Sequence, residues 1–542
     1  MADNAPRSEN TPRRRSVRVT PRLLLAGGLV LLLFCGVCGY RFWRLSDPNV
    51  QITVGPETTV FTEPLNEHGD IDYGAAINRQ LSTDVTVENN SVVLLARAFG
   101  PALVLEEDRA EYFRLLGIPE PPEAGSYFVN EEEYAGTLAS ENNQDVDELL
   151  ATLSDQREQA QSRLWTRNEF PDLAALIDAN DGAFSIVTEA SRRSRYYSPL
   201  IISPEYPVVT SRLNPIEFQL REAVRLLAAR AMLRLADRIL DGAWEDLLSC
   251  HRLSRLVGEV PFFFESAMSM SLQAHATEAS AQFLTSDEVT AVRLRRCFND
   301  LKRLPPLLDP PTVIDQGERV DAVGNVILAI RNGESGLTHL FDQGIPGIPD
   351  SDVDNQNPSL LAAFDWNVVL QSLNQEYDNY VTAMRLESFA SRSDELDRQF
   401  ADLPSIMGML TIQMYVAQSL AGEREEASRA IGRALAKRAF PTVMIHINGT
   451  RSVARERLLL IAFALTIHDR EQGEYPATLD DLTPDPLDAI PLDPFTDQTF
   501  VYEPTDHGFR IYSLGDNMTD DGGATYDSEP EGDDIVIEVR SE

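Results

Sequence analysis

The sequence predicts a mainly α-helical protein with a small α+β domain at its C-terminal end. Three observations lead to this prediction. Apolar residues recur at helical spacing through much of residues 86–438, short apolar runs alternate with turn residues near the C-terminus, and one uncharged run stands near the N-terminus. We expect five segments, with boundaries at 1–22, 23–43, 44–203, 204–440 and 441–542.

The uncharged run Leu23–Tyr40 reaches the roughly 18 residues that a helix needs to cross a bilayer. An arginine-rich tail precedes it, and positive charge on that side keeps the N-terminus in the cytoplasm. The residues Arg41–Arg44 follow, and their aromatic and basic side chains are typical of the membrane–water interface. We therefore expect a single transmembrane anchor over residues 23–43, a cytoplasmic tail over 1–22 and an extracytoplasmic bulk in the cell envelope.

A cleaved signal peptide is the alternative to an anchor, because Val37 and Gly39 suit the small-residue positions of a cleavage site. The apolar run is longer than a usual signal core, so anchoring is favoured. A lipoprotein is not indicated, since Phe34 and Val37 stand where a lipidated cysteine requires a small residue.

The composition is strongly acidic, with a formal net charge of −38 and lysine only at positions 302 and 437. Such a surface repels polyanions, so we expect no nucleic-acid partner. A hydrophobic content of 43% is enough for about two or three ordinary cores in the exported part, so disorder is not expected.

Outside the apolar run the chain has two cysteines, Cys250 and Cys297. Two thiols cannot build a disulfide framework or a four-thiolate metal site. Both lie in half-apolar helical patterns, where a buried free thiol is the more frequent outcome, although an oxidising envelope allows one bridge between them.

The segment that follows the anchor begins with alternating residues over 51–62 and a turn at 66–69, which predict a small β-hairpin. A capped helix is predicted over 86–99, ended by Gly100–Pro101. Further helices are predicted at Asp145–Arg163 and Pro171–Ala179.

The basic and aromatic cluster Arg192–Tyr197 allows two interpretations. It could bind an acidic partner or a sugar, or its arginines could neutralise carboxylates of the protein itself. The second interpretation is favoured in so acidic a chain.

The middle of the chain predicts an irregular helical domain that ends near Arg438. Two helices around a turn near 237–242 are predicted over 217–257, and Ala231–Leu253 is spaced like one tetratricopeptide-type unit. Such arrays need about three copies, and this pattern does not recur at a fixed period. A loop rich in Gly, Pro and Asp is expected over 333–358.

One more uncharged segment, Ser405–Gly422, approaches the length of a membrane span. Its polar residues, such as Gln413 and Gln418, would be costly in lipid. A buried helix is therefore favoured over a second crossing.

The C-terminal part carries the most specific pattern. A helix is predicted over Arg451–Asp469, and it is followed by GEYPATLDDL (Gly473–Leu482), PLDPF (Pro491–Phe495) and a hairpin-like segment over Phe500–Asp516. This order resembles the globular end of type II secretion pseudopilins. The resemblance implies a long helix, a short leucine-bearing helix and a three-stranded sheet that ends in an acidic loop.

Major members of that family bind calcium with the acidic loop. The resemblance therefore implies a calcium site drawn from Asp516, Asp520, Asp521, Asp527, Asp533 and Asp534. A flexible, glycine-containing loop rich in carboxylates independently suits a hard divalent cation. The loop is not an EF-hand, because aligning Asp521 with the fifth position puts Ser528 where a bidentate glutamate is required. A solvated acidic loop is the alternative.

The pseudopilin resemblance is partial, because the leader, the cleavage site and the glutamate at the fifth position of the apolar helix have no counterpart here. This argues against assembly into a pilus. The whole chain, including residues 70–82, 194–200 and the helical hairpin at Ala228, is similar to large membrane-anchored envelope proteins of planctomycete-type bacteria. That similarity implies location and architecture without implying an activity.

Catalytic motifs are not apparent in the sequence. The histidines stand singly, at positions 68, 251, 275, 339, 446, 468 and 507. The chain contains no HExxH, no GxSxG and no glycine-rich phosphate loop, and His468 and its neighbour Asp469 face different directions on a helix. We expect a non-enzymatic envelope protein that contacts protein partners or acts as a scaffold. The alternatives are an exported hydrolase that uses carboxylate chemistry and a component of a secretion apparatus.

Overall fold

The structure, a computed structural model, describes residues 50–202, 215–342, 360–402, 409–438, 441–505 and 507–540. The predicted tail and the anchor over 23–43 lie outside these residues, as does the predicted boundary at 203–204. Among the described residues, no helix combines the length and the apolar character that a membrane crossing requires.

The N-terminal part is helical, as predicted. Over residues 50–202 the helices are α1 (Tyr73–Leu81), α2 (Ser91–Phe99), α3 (Arg109–Leu116), α4 (Glu131–Asn142), α5 (Val146–Ser162), α6 (Pro171–Ala179) and α7 (Asp181–Ser191). Helix α5 begins where the Asp145 carboxylate accepts a hydrogen bond from Glu148 N at 3.1 Å. Helix α2 begins later than predicted, because Thr86 N donates to Asn89 Oδ1 at 2.7 Å and closes a turn.

The hairpin strands predicted over residues 51–62 are wrong, but the predicted turn over 66–69 is present: Gly69 N donates to the Asn66 carbonyl at 3.0 Å, and Leu65 and Ile71 form an isolated antiparallel bridge. The backbone N–H groups of Thr58 and Thr59 donate to the Gly55 carbonyl at 3.0 and 2.8 Å, which closes a turn in place of a strand. The backbone N–H of Thr53 donates to Asn367 Oδ1 at 2.8 Å. The segment therefore pairs with a distant helix and not with itself.

The middle part forms the main helical body. Its helices are α8 (Pro215–Ala236), α9 (Leu240–Val257), α10 (Phe263–Leu284), α11 (Ala291–Lys302), α12 (Arg319–Arg331), α13 (Gly333–Asp342), α14 (Leu360–Ala363), α15 (Trp366–Met384), α16 (Phe389–Asp402), α17 (Met409–Leu420) and α18 (Arg424–Arg438). A helical turn at Pro310–Thr312 and a π-helical turn at Val313–Glu318 lead into α12. The predicted helical hairpin over 217–257 is present as α8 and α9.

A buried ion-pair cluster joins the two helices of this hairpin. Both oxygens of Asp246 on α9 accept hydrogen bonds from Arg230 on α8, at 2.7 and 3.0 Å, and Arg234 adds a third at 2.8 Å. The Asp246 side chain is 1% exposed. Such a pair is stable in the interior because every charge has a partner of opposite sign.

The predicted loop over 333–358 is wrong for its first ten residues, which form α13, and the rest of it lies outside the described residues. Leu337 and Phe341 are buried one helical turn apart. Gly336 lets α13 approach α12, since a Cβ there would lie 2.5 Å from the Ala329 carbonyl oxygen. Burial of these apolar residues outweighs the low helix propensity of glycine.

The uncharged segment over 405–422 contains α17, and residues 403–408 lie outside the description. Ile412 and Val416 of α17 are buried, whereas Met414 is 68% exposed. The prediction of a helix is confirmed, and this helix buries one face against the body.

The longest helix of the described chain, α19 (Pro441–Gln472), begins earlier than the predicted residue 451. Its first turns are held by burial of Ile445 and His446. Helix α19 packs against α10 and α11 and also against the sheet, so a continuous apolar core extends from the helical body into the C-terminal part.

The small C-terminal sheet is antiparallel, in the order β1 (Val501–Thr505), β2 (Gly508–Ser513), β3 (Ile535–Arg540). Tyr502 pairs with Ile511, and Ile511 pairs with Ile537. The predicted α+β character of this part is confirmed. The connection between β2 and β3, residues 514–534, is the acidic loop.

Candidate metal centre

The acidic loop (residues 514–534) turns sharply as it leaves β2. Gly515 has φ +64°, and a Cβ at this position would clash with the carbonyl and carboxylate of Asp533. Only glycine satisfies both conditions, because it tolerates positive φ and has no side chain. The start of the loop therefore lies directly against its end.

Three of the six predicted aspartates converge inside this loop. Asp521, Asp533 and Asp534 each offer one carboxylate oxygen that lies within 4.8 Å of the other two. Backbone N–H groups of the loop hold one oxygen of Asp533 and one of Asp534. Asn517 N donates to Asp533 Oδ2 at 2.9 Å, and Gly523 N donates to Asp534 Oδ2 at 2.8 Å.

The other oxygen of two of these carboxylates has no hydrogen-bond donor. The Oδ1 atoms of Asp533 and Asp534 are both buried and unpartnered, and the two residues are 6% and 1% exposed. A buried anionic oxygen without a partner is costly unless it binds a proton or a cation. Calcium prefers such oxygen ligands, so the residues present fit this ion.

The electrostatics of Asp533 and Asp534 agree with this geometry. Burial, followed by the charges of Asp521 and Asp520, raises the pKa of Asp534 to about 6. Burial and the nearby Asp516 also raise the pKa of Asp533. A divalent cation would oppose both shifts, because it stabilises the ionised form.

The remaining three aspartates have other surroundings. The Asp516 carboxylate forms an ion pair with Arg451 of α19 at 2.7 Å. Asp520 Oδ1 accepts hydrogen bonds from the Tyr512 hydroxyl at 3.1 Å and from Gly522 N at 2.9 Å. Asp527 is exposed and does not belong to the converging group.

A supporting aspartate was missed by the sequence analysis. Asp493, in the PLDPF corner, is 1% exposed and accepts hydrogen bonds from Ser513 Oγ at 2.9 Å and Leu514 N at 3.1 Å. It fixes the point where β2 passes into the acidic loop. The motif that contains Asp493 was visible in the sequence, but its contact with β2 depends on the tertiary fold.

The histidines are not gathered into a metal site in the described part of the chain. Burial lowers the pKa of His251 to about 3 and the pKa values of His275 and His446 to about 4, so all three are neutral at pH 7. His468 Nδ1 lies 3.0 Å from the Glu474 carbonyl oxygen, whereas the Asp469 carboxylate pairs with Arg470. His468 and Asp469 thus form no acid–base pair.

The cysteines and the basic cluster have structural surroundings. Cys250 and Cys297 are both buried free thiols, and burial raises the pKa of Cys297 to about 12. In the cluster over 192–197, Arg192 pairs with Glu245 at 2.7 Å and Arg193 with Glu189 at 3.7 Å. These arginines neutralise the protein's own carboxylates, as the favoured interpretation predicted.

Buried carboxyl groups elsewhere were also missed by the sequence analysis. Burial raises the pKa of Glu217 at the start of α8 to about 9, that of Glu265 in the first turn of α10 to about 7, and that of Glu318 in the π-helical turn to about 8. Carboxylates are so frequent in this sequence that no pattern distinguished these three. A carboxyl group that stays protonated near neutral pH is suited to act as a general acid.

Comparison of the chain with protein-family models, with curated proteins and with solved structures finds no match.

Proposed function

We propose that the protein is a membrane-anchored, non-enzymatic scaffold of the cell envelope whose acidic loop binds one calcium ion. The observation that carries the calcium assignment is the pair of buried, unpartnered Oδ1 atoms on Asp533 and Asp534 beside the Asp521 carboxylate. The ion would offset the repulsion among three carboxylates and hold the middle of the loop against its C-terminal end.

The three carboxylates are a partial ligand set. Calcium takes about six to eight oxygen ligands, and backbone carbonyls and water commonly complete its shell. A flexible loop with three carboxylates and several glycines can meet this requirement. It is less suited to magnesium, which demands a near-ideal octahedron of ligands. We therefore expect calcium to bind more tightly than magnesium.

The scaffold role rests on the helical body and on the sequence resemblances. Helix α19 followed by the helical turn Leu479–Leu482, the PLDPF corner and an antiparallel sheet is the element order expected of a pseudopilin-type end. Within the α8–α9 hairpin, residues Ala231–Leu253 are spaced like one tetratricopeptide-type unit. Both kinds of module contact other proteins, and a secretion apparatus is one setting for such contacts. The anchor over 23–43 would hold these surfaces at the membrane.

Calorimetric titration of the chelator-treated full chain in detergent tests the cation site. We expect one calcium per chain, weaker magnesium binding, and a loss of about tenfold or more in calcium affinity for Asp534→Asn. Asp527→Asn is the matched control, because it removes the same charge from an exposed position of the same loop. Equal calcium affinity in the two variants would contradict the assignment.

An exported hydrolase is the second candidate function. Its support is that burial raises the pKa of Glu265 to about 7 and that of Glu318 to about 8, the direction that a general acid at neutral pH requires. Hydrolysis of a glycan panel by the full chain, lost in Glu318→Gln and kept in the exposed Glu538→Gln, would favour this candidate. A panel that stays intact would leave the scaffold as the better account.

A further inference from the structure

A cavity of about 360 Å³ lies where the helical body meets the C-terminal part. Its walls come from four segments: residues 309–311, residues 384–392 between the end of α15 and the first turn of α16, residues 446–457 of α19, and residues 494–497 in and after the PLDPF corner. The volume is in the range of small-molecule sites. Its described lining residues do not belong to the acidic loop, so the cavity is separate from the proposed calcium site.

Two arginines supply positive charge to this cavity. Arg392 Nη1 donates to the carbonyl oxygens of Leu386 and Glu387 at 3.1 and 3.0 Å, and Arg457 Nη1 donates to that of Leu492 at 2.6 Å. These bonds hold one nitrogen of each guanidinium and leave the others for a ligand. Among the described residues, neither arginine forms an ion pair with a carboxylate.

A buried histidine forms part of the cavity wall. His446 lines the cavity and is 1% exposed, and its Nε2 lies 3.0 Å from Ser393 Oγ while its ring stacks on Phe389 at 4.5 Å. Its Nδ1 is buried without a hydrogen-bond partner. Burial and the charge of Arg392 lower the pKa of His446 to about 4, so the ring is neutral. The histidine therefore adds no charge to the cavity.

Negative charge surrounds the mouth of the cavity. Three carboxylates line it, those of Asp309, Glu387 and Asp497, and all three residues are exposed, whereas Arg392 and Arg457 are half-buried. With a neutral histidine the lining carries two positive and three negative charges. A ligand that satisfies both sets of side chains must therefore carry an anionic group and a cationic group. The net charge of −38 also disfavours a purely anionic ligand.

We propose that this cavity binds a short peptide with free termini. Arg392 and Arg457 bind the C-terminal carboxylate, and the carboxylates at the mouth bind the ammonium group. Guanidinium groups suit a carboxylate because they offer parallel N–H donors. Proline, valine and methionine side chains form the apolar remainder of the lining, which suits small peptide side chains.

The test is calorimetric titration of the full chain in detergent with dialanine, with N-acetyl-dialanine, with dialanine amide and with glutarate. We expect dialanine to bind and each of the other three compounds to bind about tenfold more weakly or worse, because each lacks one charge or carries the wrong one. No dialanine binding, or glutarate binding as tight as that of dialanine, would overturn the proposal.

Three variants locate the binding in the cavity. Arg457→Gln should weaken dialanine binding about tenfold or more, and Val453→Phe should abolish it by filling the cavity without changing a charge. Arg303→Gln is the matched control, because that guanidinium is 78% exposed and lies elsewhere. A melting temperature of Arg457→Gln equal to that of the wild type would show that this variant is folded. Unchanged dialanine affinity in Arg457→Gln would overturn the proposal even if Val453→Phe failed to fold.

Discussion

Arg451 of helix α19 donates to Asp516 Oδ1 at 2.7 Å, and its guanidinium lies 4.8 Å from the centre of the Tyr526 ring. The acidic loop is therefore attached to the longest helix at both of its halves. Asp516 also lies near Asp533, whose carboxylate belongs to the proposed calcium site. The proposed cation site is thus linked to the packing of the loop on the helical body.

Removal of this attachment should destabilise the C-terminal part. We expect Arg451→Gln to lower the free energy of unfolding by about 2 kcal/mol, because the Asp516 carboxylate loses its partner at a site where Arg451 is 9% exposed. Urea denaturation followed by circular dichroism measures the change. Arg540→Gln, which removes a 77% exposed guanidinium, should stay close to wild type. Equal losses in the two variants would contradict the proposed role of Arg451.

Glycine is required at position 515 mainly because the backbone there lies against Asp533, and less because its φ is positive. Gly515 and Gly522 have similar φ values, +64° and +70°, but a Cβ clashes with Asp533 only at Gly515. We expect Gly515→Ala to lose more calcium affinity and more thermal stability than Gly522→Ala. Calcium titration and melting of both variants give the comparison, and similar losses would show that the approach to Asp533 is unimportant.

The stability of the calcium-free protein should depend on the protonation of Asp534. Its folded-state pKa of about 6 lies above the ordinary aspartate value of about 4, so the folded chain binds more protons than the unfolded chain between these pH values. Stability should therefore fall as pH rises through this window in the presence of a chelator. Other buried carboxyls act in the same direction, so the measured quantity is the difference between wild type and Asp534→Asn.

This difference is obtained from melting temperatures at several pH values between about 4 and 6. The fall should be smaller in Asp534→Asn, which cannot ionise there. Saturating calcium should also reduce it in wild type, because the cation favours the ionised form. An equal fall in all three samples would exclude Asp534 as the responsible group.

The buried ion-pair cluster of the α8–α9 hairpin provides a prediction that is independent of calcium. Asp246→Asn leaves Arg230 and Arg234 without a buried counter-charge, so we expect a loss of about 3–5 kcal/mol in the free energy of unfolding. The control is Asp178→Asn, which breaks an ion pair with Arg167 in which both side chains are about half exposed. Urea titration of both variants measures the loss in the free energy of unfolding. A loss for Asp246→Asn no larger than that for Asp178→Asn would contradict this prediction.

Local signals in the sequence were sufficient for several elements. Helix α6 begins at Pro171 and ends at Ala179 as predicted, because proline at the first position and the apolar spacing both act within one segment. The α8–α9 hairpin was predicted for the same reason. Residues 51–62 were assigned wrongly because their hydrogen-bond partner, Asn367, is more than 300 residues away.

For the candidate site, the sequence predicted the acidic loop but not which of its aspartates lie together. The sequence identified six aspartates, but which of them converge depends on the turn at Gly515 and on the long-range pair between Asp516 and Arg451. Neither contact has a signature in local spacing. The cavity lined by Arg392 and Arg457 was missed for the same reason, because its walls come from four separate segments.

The central claim, a structural calcium site in the acidic loop, is tested most directly by thermal unfolding of the full chain with calcium and with chelator. The same scans are run on Asp521→Asn/Asp533→Asn/Asp534→Asn and on the exposed-loop control Asp527→Asn. We expect calcium to raise the midpoint of the wild type and of the control but not that of the triple variant. A midpoint that is the same with calcium and with chelator in the wild type would contradict the claim.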